Sequence, residues 1–158
     1  MGKLVMRRSA ADNVYLHKDF HGALSAGLQY LEDHYGPEAV REYLRDFTLA
    51  YFAPLRERLA QEGLSALKTH FEEMYALEGG EVSVRLAEDG SELTITVHSC
   101  PAIKHMREHN YAIADSFFET TRTVNEALCE GTEFAAELVE CQCGEGRCVQ
   151  RFFRRPTQ

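Results

Sequence analysis

The first half of the chain repeats hydrophobic residues at three- and four-residue steps, the spacing of helices that bury one face. This pattern extends over residues 16–77. Gly36-Pro37 and Pro54 interrupt it, and proline suits the first turn of a new helix. The pattern therefore predicts three N-terminal helices, the third with an internal break at Gly63.

In the second half the hydrophobic period changes to two, which indicates strands. Hydrophobic and polar residues alternate over residues 82–86 and again over residues 93–97, on either side of a Glu-Asp-Gly-Ser turn. This pattern predicts a first β-hairpin. Residues 134–139 alternate again. The Gly144-Glu145-Gly146-Arg147 turn and a return strand, Cys148–Phe153, complete a second hairpin.

Between the hairpins, one hydrophobic stripe predicts a single long helix that ends near Cys129. Its members are Ile103, Met106, Ile113, Phe117, Val124 and Leu128. Helices combined with two hairpins favour an α+β fold, in which one antiparallel sheet packs against the helices. We expect residues 1–15 to be a flexible lead-in and residues 16–158 to form a single α+β domain.

Composition narrows the classes of function. The 158 residues carry a net charge of −8 with scattered basic residues, which argues against nucleic-acid binding. The sequence has neither a signal-like apolar run nor a stretch of about 18 apolar residues, so we expect a cytoplasmic protein that does not enter the membrane. Its five cysteines then favour thiols or metal ligands over a disulfide framework. A homodimer is compatible with a sheet edge on a chain of this size.

Three cysteines lie near the tip of the second hairpin. Cys141 and Cys143 are two apart and are expected on one face of the outgoing strand, with Cys143 facing Cys148 across the turn. Three thiols supply most of a tetrahedral zinc site. The alternatives are a reversible Cys143–Cys148 disulfide or small buried residues.

A second candidate site follows the first hairpin, at Cys100-Pro101 and the histidines after it. His105 and His109 are four apart and share a helix face, as two ligands of one metal would. Cys100 is also a candidate nucleophile, which either histidine could activate. The alternative for the histidines is a solvated helix edge.

Two polar residues fall on the apolar stripe of the predicted long helix. Asn110 and Thr121 must find partners if that face is buried. A ligand pocket beside Phe117 would provide them, and so would hydrogen bonds within the core.

Short motifs resemble those of the L-2-amino-thiazoline-4-carboxylic acid hydrolase family. They are Tyr-Gly-Pro-Glu at residues 35–38, Cys100-Pro101, and the terminal Cys-x4-Cys of Cys143 and Cys148 before an aromatic strand. That family is similar in architecture to the 4-vinyl-reductase domain, which binds small molecules. The resemblance implies zinc bound by Glu140, Cys143 and Cys148, with Cys100 as the upstream cysteine and Cys141 beside the set. The sequence departs from the hydrolase pattern where Asn110 or Asp115 replaces expected cysteines.

Three hypotheses result. The resemblance implies a hydrolase acting on a small cyclic C–N or C–S substrate. Cys100 or a metal-bound water would attack the substrate, and His105 or His109 would move protons. The alternative is a non-catalytic small-molecule-binding or sensor module of the 4-vinyl-reductase type with a structural zinc clamp. A third hypothesis is a thiol redox or metal-handling protein built on Cys141, Cys143 and Cys148.

Overall fold

The computed structural model describes residues 18–156, which form an α+β fold, as predicted. The lead-in predicted at residues 1–15 lies outside the described residues. The elements in chain order are α1 (Phe20–Tyr35), α2 (Pro37–Tyr51), α3 (Ala53–Glu62), α4 (Leu64–Glu78), β1 (Glu81–Leu86), β2 (Glu92–Ser99), α5 (Pro101–Glu108), α6 (Glu119–Leu128), β3 (Phe134–Gln142) and β4 (Arg147–Arg154).

Four helices, rather than the predicted three, precede the first strand of the described chain. The break at Gly63 is complete: Gly63 adopts a φ of 70° and separates α3 from α4. A positive φ is costly for residues with a Cβ, so glycine permits the sharp change of direction. Within residues 18–156, none of the helices has the length and apolar character that spanning a bilayer requires.

The two predicted hairpins form one antiparallel sheet in the order β1-β2-β4-β3. Val97 pairs with Cys148 and Leu93 with Phe152 between the two central strands. Side chains alternate between faces along a strand, so Cys148, Gln150 and Phe152 all point to the face that the helices cover. The register therefore brings the end of β2, next to Cys100, beside the tip of the second hairpin.

The prediction of a single long helix is wrong, because the helical conformation ends before Asn110. This residue has a φ of 55°. The Tyr111 amide donates to the carbonyl of Met106 at 2.8 Å, and the Asn110 amide donates to the carbonyl of Arg107 at 3.2 Å. This is the Schellman arrangement, in which a left-handed residue ends a helix. Two helices, α5 and α6, replace the single one.

Within the part of the chain that the structure describes, the buried hydrophobic residues fall into two clusters. The sheet cluster comprises Leu55, Leu59, Leu64, Leu67, Phe71, Tyr75, Leu93, Ile95, Val97, Leu128, Cys129, Phe134 and Phe152. The helical cluster comprises Leu28, Val40, Leu44, Ala102, Ile103, Met106, Ala114 and Phe117. Cys100 and Val124 pack against both clusters. The junction between β2 and α5 therefore lies where the two halves of the core meet.

Candidate functional site

The tip of the second hairpin differs from its predicted register. The two strands close at Gln142 and Arg147, one residue earlier than predicted, so Cys141, not Cys143, lies opposite Cys148. Cys143 begins a short 3-10 turn that connects the two strands. A β-bulge between Leu138 and Glu140 changes the pairing by one further residue, which the alternation pattern does not reveal. Cys141 and Cys143 are joined by a disulfide, with their Cα atoms 5.0 Å apart.

The hairpin tip packs on the start of α5. The Cys100 amide donates a hydrogen bond to the Gly146 carbonyl at 2.9 Å, and the Arg107 guanidinium donates to the Gly144 carbonyl. Gly146 is buried, with a φ of 72°, and a Cβ there would lie 3.2 Å from the Cβ of Ile103. The two cysteine-bearing regions of the sequence thus come together at one end of the sheet.

The predicted zinc ligands are not arranged as a zinc site. Among residues 18–156, no group of three or more His, Cys, Asp or Glu side chains could hold a metal ion. Cys141 and Cys143 are bonded to each other, and a disulfide sulfur is not the thiolate that zinc prefers. Glu140 is exposed, whereas the Cys148 sulfur faces the interior and accepts a hydrogen bond from the Gln150 amide at 3.4 Å. The residues as placed do not fit zinc, which stays a prediction of the sequence.

Cys100 lacks the surroundings of an activated nucleophile. Burial raises the pKa of its thiol, although the nearby backbone amides of Ile103 and Ala102 oppose part of that rise. Nucleophilic cysteines instead have a lowered pKa, since the thiolate is the reactive form. In the described chain, neither predicted histidine forms a hydrogen bond with the Cys100 sulfur. The predicted Cys–His pair is therefore not assembled here.

His105 of α5 faces the start of α1 instead, and His109, which follows α5, stacks on it. The Nε2 atom of His105 lies 3.0 Å from the Oδ1 atom of Asp19, and the Tyr111 hydroxyl donates to the same oxygen at 3.1 Å. His109 stacks on His105 with ring centroids 4.0 Å apart, and its Nδ1 atom lies 2.9 Å from the His105 carbonyl oxygen. These side chains form a polar edge where α1 meets the end of α5.

A groove of about 460 Å³ lies next to this polar edge. It is lined by Asp19, Gly22, Ala23, Ala26, Asn110, Tyr111 and Ala112. Its floor is made of small residues of α1, and its other wall is the turn that follows α5. Small side chains let a ligand lie close to the helix backbone, while the polar residues stand at the rim.

Side-chain hydrogen bonds fasten the turn to α1. The Ser25 hydroxyl donates to the Ala112 carbonyl and accepts from the Ala114 amide, both at 2.8 Å. The Gln29 side-chain oxygen accepts from the Asp115 amide at 3.1 Å. Ser25 is buried, so these bonds are shielded from water. The wall of the groove is therefore held in place by the helix that forms its floor.

The structure separates the three residues predicted to line a ligand pocket. Asn110 lines the groove but is exposed, not buried on a helix stripe as expected. Phe117 is buried in the helical cluster, and Thr121 lies on α6 outside the lining of the groove. Sequence reasoning missed Asp19, Gly22 and Tyr111. The available signal was Asn110-Tyr111 itself, because asparagine is common at left-handed helix ends.

Comparisons with known proteins do not identify a family. No protein-family model matches the chain, and no curated protein matches it. Among solved structures, the chain is similar to the crystal structure of the phenol-responsive sensory domain of the transcription activator PoxR with phenol. The likeness covers 88% of this chain and 75% of that chain, with 18% identity and a TM-score of 0.49. Such a likeness assigns no function, and the resemblance to the hydrolase family stays a prediction.

Proposed function

We propose that this protein is a non-catalytic small-molecule-binding module and that its ligand occupies the groove between α1 and the turn after α5. The composition of the groove carries this proposal, because small apolar residues of α1 lie beside the polar rim of Asn110 and Tyr111. The groove is open to solvent and has a volume of about 460 Å³. A binding function also needs no activated nucleophile, which agrees with the buried Cys100 thiol.

The lining favours a small, flat and largely apolar ligand with a hydrogen-bonding group at one end. Ala23 and Ala26 present only backbone and methyl groups, against which a ring can lie, whereas Gly22 is covered by the Tyr111 ring. The Asn110 amide and the Tyr111 hydroxyl stand at the rim, where they can orient a polar group of the ligand. An apolar surface with few polar groups is the usual composition of a ligand site.

A fragment screen of the full chain tests the proposal. We would screen small aromatic alcohols, acids and amines by ligand-observed NMR, and locate the binders from amide shift changes in the ¹⁵N-labelled protein. Expected binders shift the amides of residues 22–26 and 110–112. Ala26→Leu fills the groove and should weaken binding by about tenfold or more, since one buried methylene is worth about 1–3 kcal/mol.

Matched variants distinguish binding from catalysis. Gly27→Ala lies on α1 next to Ala26 but has no atom within 4 Å of the added methyl, so it should leave binding unchanged. Cys100→Ser should retain binding. The proposal is wrong if the binders shift amides elsewhere, if Ala26→Leu leaves their affinity intact, or if 2-aminothiazoline-4-carboxylate is hydrolysed at a rate that Cys100→Ser abolishes.

A further inference from the structure

We propose that Cys141 and Cys143 form a thiol–disulfide exchange site for small thiols such as glutathione, separate from the ligand groove. The disulfide lies in the exposed tip of the second hairpin. Its Cα separation of 5.0 Å is within the usual range of about 4.4–6.8 Å for disulfides. Cys141 is exposed and Cys143 is half-buried, so an incoming thiolate reaches the Cys141 sulfur more easily.

This disulfide contributes little to holding the fold together. Its cysteines are two positions apart, so the bond closes a very short loop and removes little entropy from the unfolded chain. The tip is already held by strand pairing, in which Cys141 lies opposite Cys148, and by the hydrogen bond from Cys100 to Gly146. Exposed disulfides that are not needed for stability are typically the reducible ones.

The charges around the tip do not repel an anionic thiol. Glu140 and Glu145 lie in or beside the turn, together with Arg147, which pairs with Glu145 at 2.7 Å. Arg107 of α5 donates to the Gly144 carbonyl at the same tip. Two carboxylates and two guanidinium groups balance locally, although the whole chain carries a net charge of −8. A negatively charged molecule such as glutathione therefore meets a neutral patch.

The exchange balances in two steps. A small thiolate attacks the Cys141 sulfur, forms a mixed disulfide and breaks the bond to Cys143, which leaves as a thiolate and takes a proton from water. A second small thiolate attacks the small-thiol sulfur of the mixed disulfide and releases Cys141. In total, two small thiols are oxidised to one small disulfide, and the protein disulfide gains two electrons and two protons.

Thiol counting in glutathione buffers tests the site. We would equilibrate the folded, full-length protein with mixtures of reduced and oxidised glutathione, quench with acid, and count thiols after denaturation. The oxidised protein should show three thiols, those of Cys100, Cys129 and Cys148, and the reduced protein all five. Cys129→Ser is the control: it removes one buried thiol from both counts and leaves the change of two intact.

A trapped intermediate locates the reacting sulfur. Cys143→Ser leaves Cys141 without its partner, so oxidised glutathione should add one glutathione, found by peptide mass spectrometry on Cys141. The proposal is overturned if all five thiols persist in the most oxidising buffer or if the adduct forms only on another cysteine. A disulfide that is reduced only after unfolding would also overturn it. The proposal would likewise be overturned if elemental analysis found one equivalent of zinc bound to these thiols in the purified protein.

Discussion

The Asn125 side-chain amide donates a hydrogen bond to the side-chain oxygen of Gln150, 2.8 Å away, in the layer between α6 and the sheet. Both residues are at most 5% exposed. Gln150 occupies a covered position in β4, between Cys148 and Phe152, where strand alternation would place a hydrophobic residue. The Gln150 side-chain oxygen therefore depends on Asn125 for its hydrogen bond, while the Gln150 nitrogen donates to the Cys148 sulfur.

Removing one member of this pair should destabilise the protein. Asn125→Ala leaves the Gln150 oxygen unpaired in the interior, and we expect the free energy of unfolding to fall by about 1–3 kcal/mol in urea denaturation. Gln142→Ala, at an exposed position, serves as the control and should change it by less than about 0.5 kcal/mol. The double variant Asn125→Leu/Gln150→Leu removes both polar groups. If it is no more stable than Asn125→Ala, the unpaired Gln150 oxygen is not the cause of the lost stability.

Alanine substitutions at two glycines of the hairpin tip should affect the free energy of unfolding differently. At Gly146 the added methyl meets Ile103 and Cys100 at 3.2–3.3 Å, and the φ of 72° disfavours alanine. We expect Gly146→Ala to lower the free energy of unfolding by about 1–3 kcal/mol. Gly144 has no atom within 4 Å of the added methyl, so Gly144→Ala should be close to neutral. Equal thermal midpoints for the two variants would show that the tip does not pack on α5.

A second pair of glycines tests the wall of the groove. Gly27→Ala adds a methyl group in open space on α1 and should stabilise the protein by about 0.5–1 kcal/mol through helix propensity. At Gly22 the same methyl would lie 2.6 Å from the Tyr111 ring, which must move. Gly22→Ala should therefore lack this gain in thermal denaturation and shift the Tyr111 ring signals in NMR spectra. Equal stabilisation by both substitutions would contradict the contact.

Glu119 should make stability depend on pH. Burial alone would raise the pKa of this carboxyl group, but hydrogen bonds from Arg122, Thr123 and Arg41 and the charge of Arg122 outweigh it, so the pKa is lowered. The unfolded chain has a pKa of about 4.3 at glutamate. The stabilisation is therefore present above about pH 4.3 and is lost as the pH falls through the lower pKa of the folded state.

Glu119→Gln should remove this contribution. We expect it to lower the free energy of unfolding by about 1–3 kcal/mol at neutral pH, since it leaves the arginines without their buried partner. The difference in free energy of unfolding between wild type and variant should decrease as the pH falls from about 6 to about 3. Glu126→Gln, exposed on the same helix, controls for the loss of one charge. If this difference does not change with pH, the pKa of Glu119 is not lowered in the folded protein.

The sequence was sufficient to predict those elements for which the hydrophobic periodicity and the turn residues agree. Both hairpins follow from strand alternation, and the meeting of Cys100 with the second tip follows from pairing them in one sheet. Two positions were out of reach of periodicity. The turn begins at Cys143 rather than at Gly144, which puts Cys141 instead of Cys143 opposite Cys148, and Asn110 ends a helix whose hydrophobic spacing continues. Both depend on backbone conformation, which hydrophobic spacing does not encode.

The candidate site was harder to predict than the fold, because its residues are not linked by a motif. Asp19 and Tyr111 are 92 positions apart and meet only because α1 packs beside α5. Cys100 and the histidines do lie close in sequence, but the helix turns His105 toward α1 and leaves Cys100 facing the sheet. Residues near one another in a chain share chemistry only when their side chains share a face.

Cys100 and Val124 pack against both core clusters and so act as the joint between two halves of the molecule. The helix that carries Val124, α6, also contacts both α2 and β3, so the two clusters share an entire helix as well as these two side chains. Elements that share contacts open together, so truncation of either side chain should loosen both clusters at once rather than one alone.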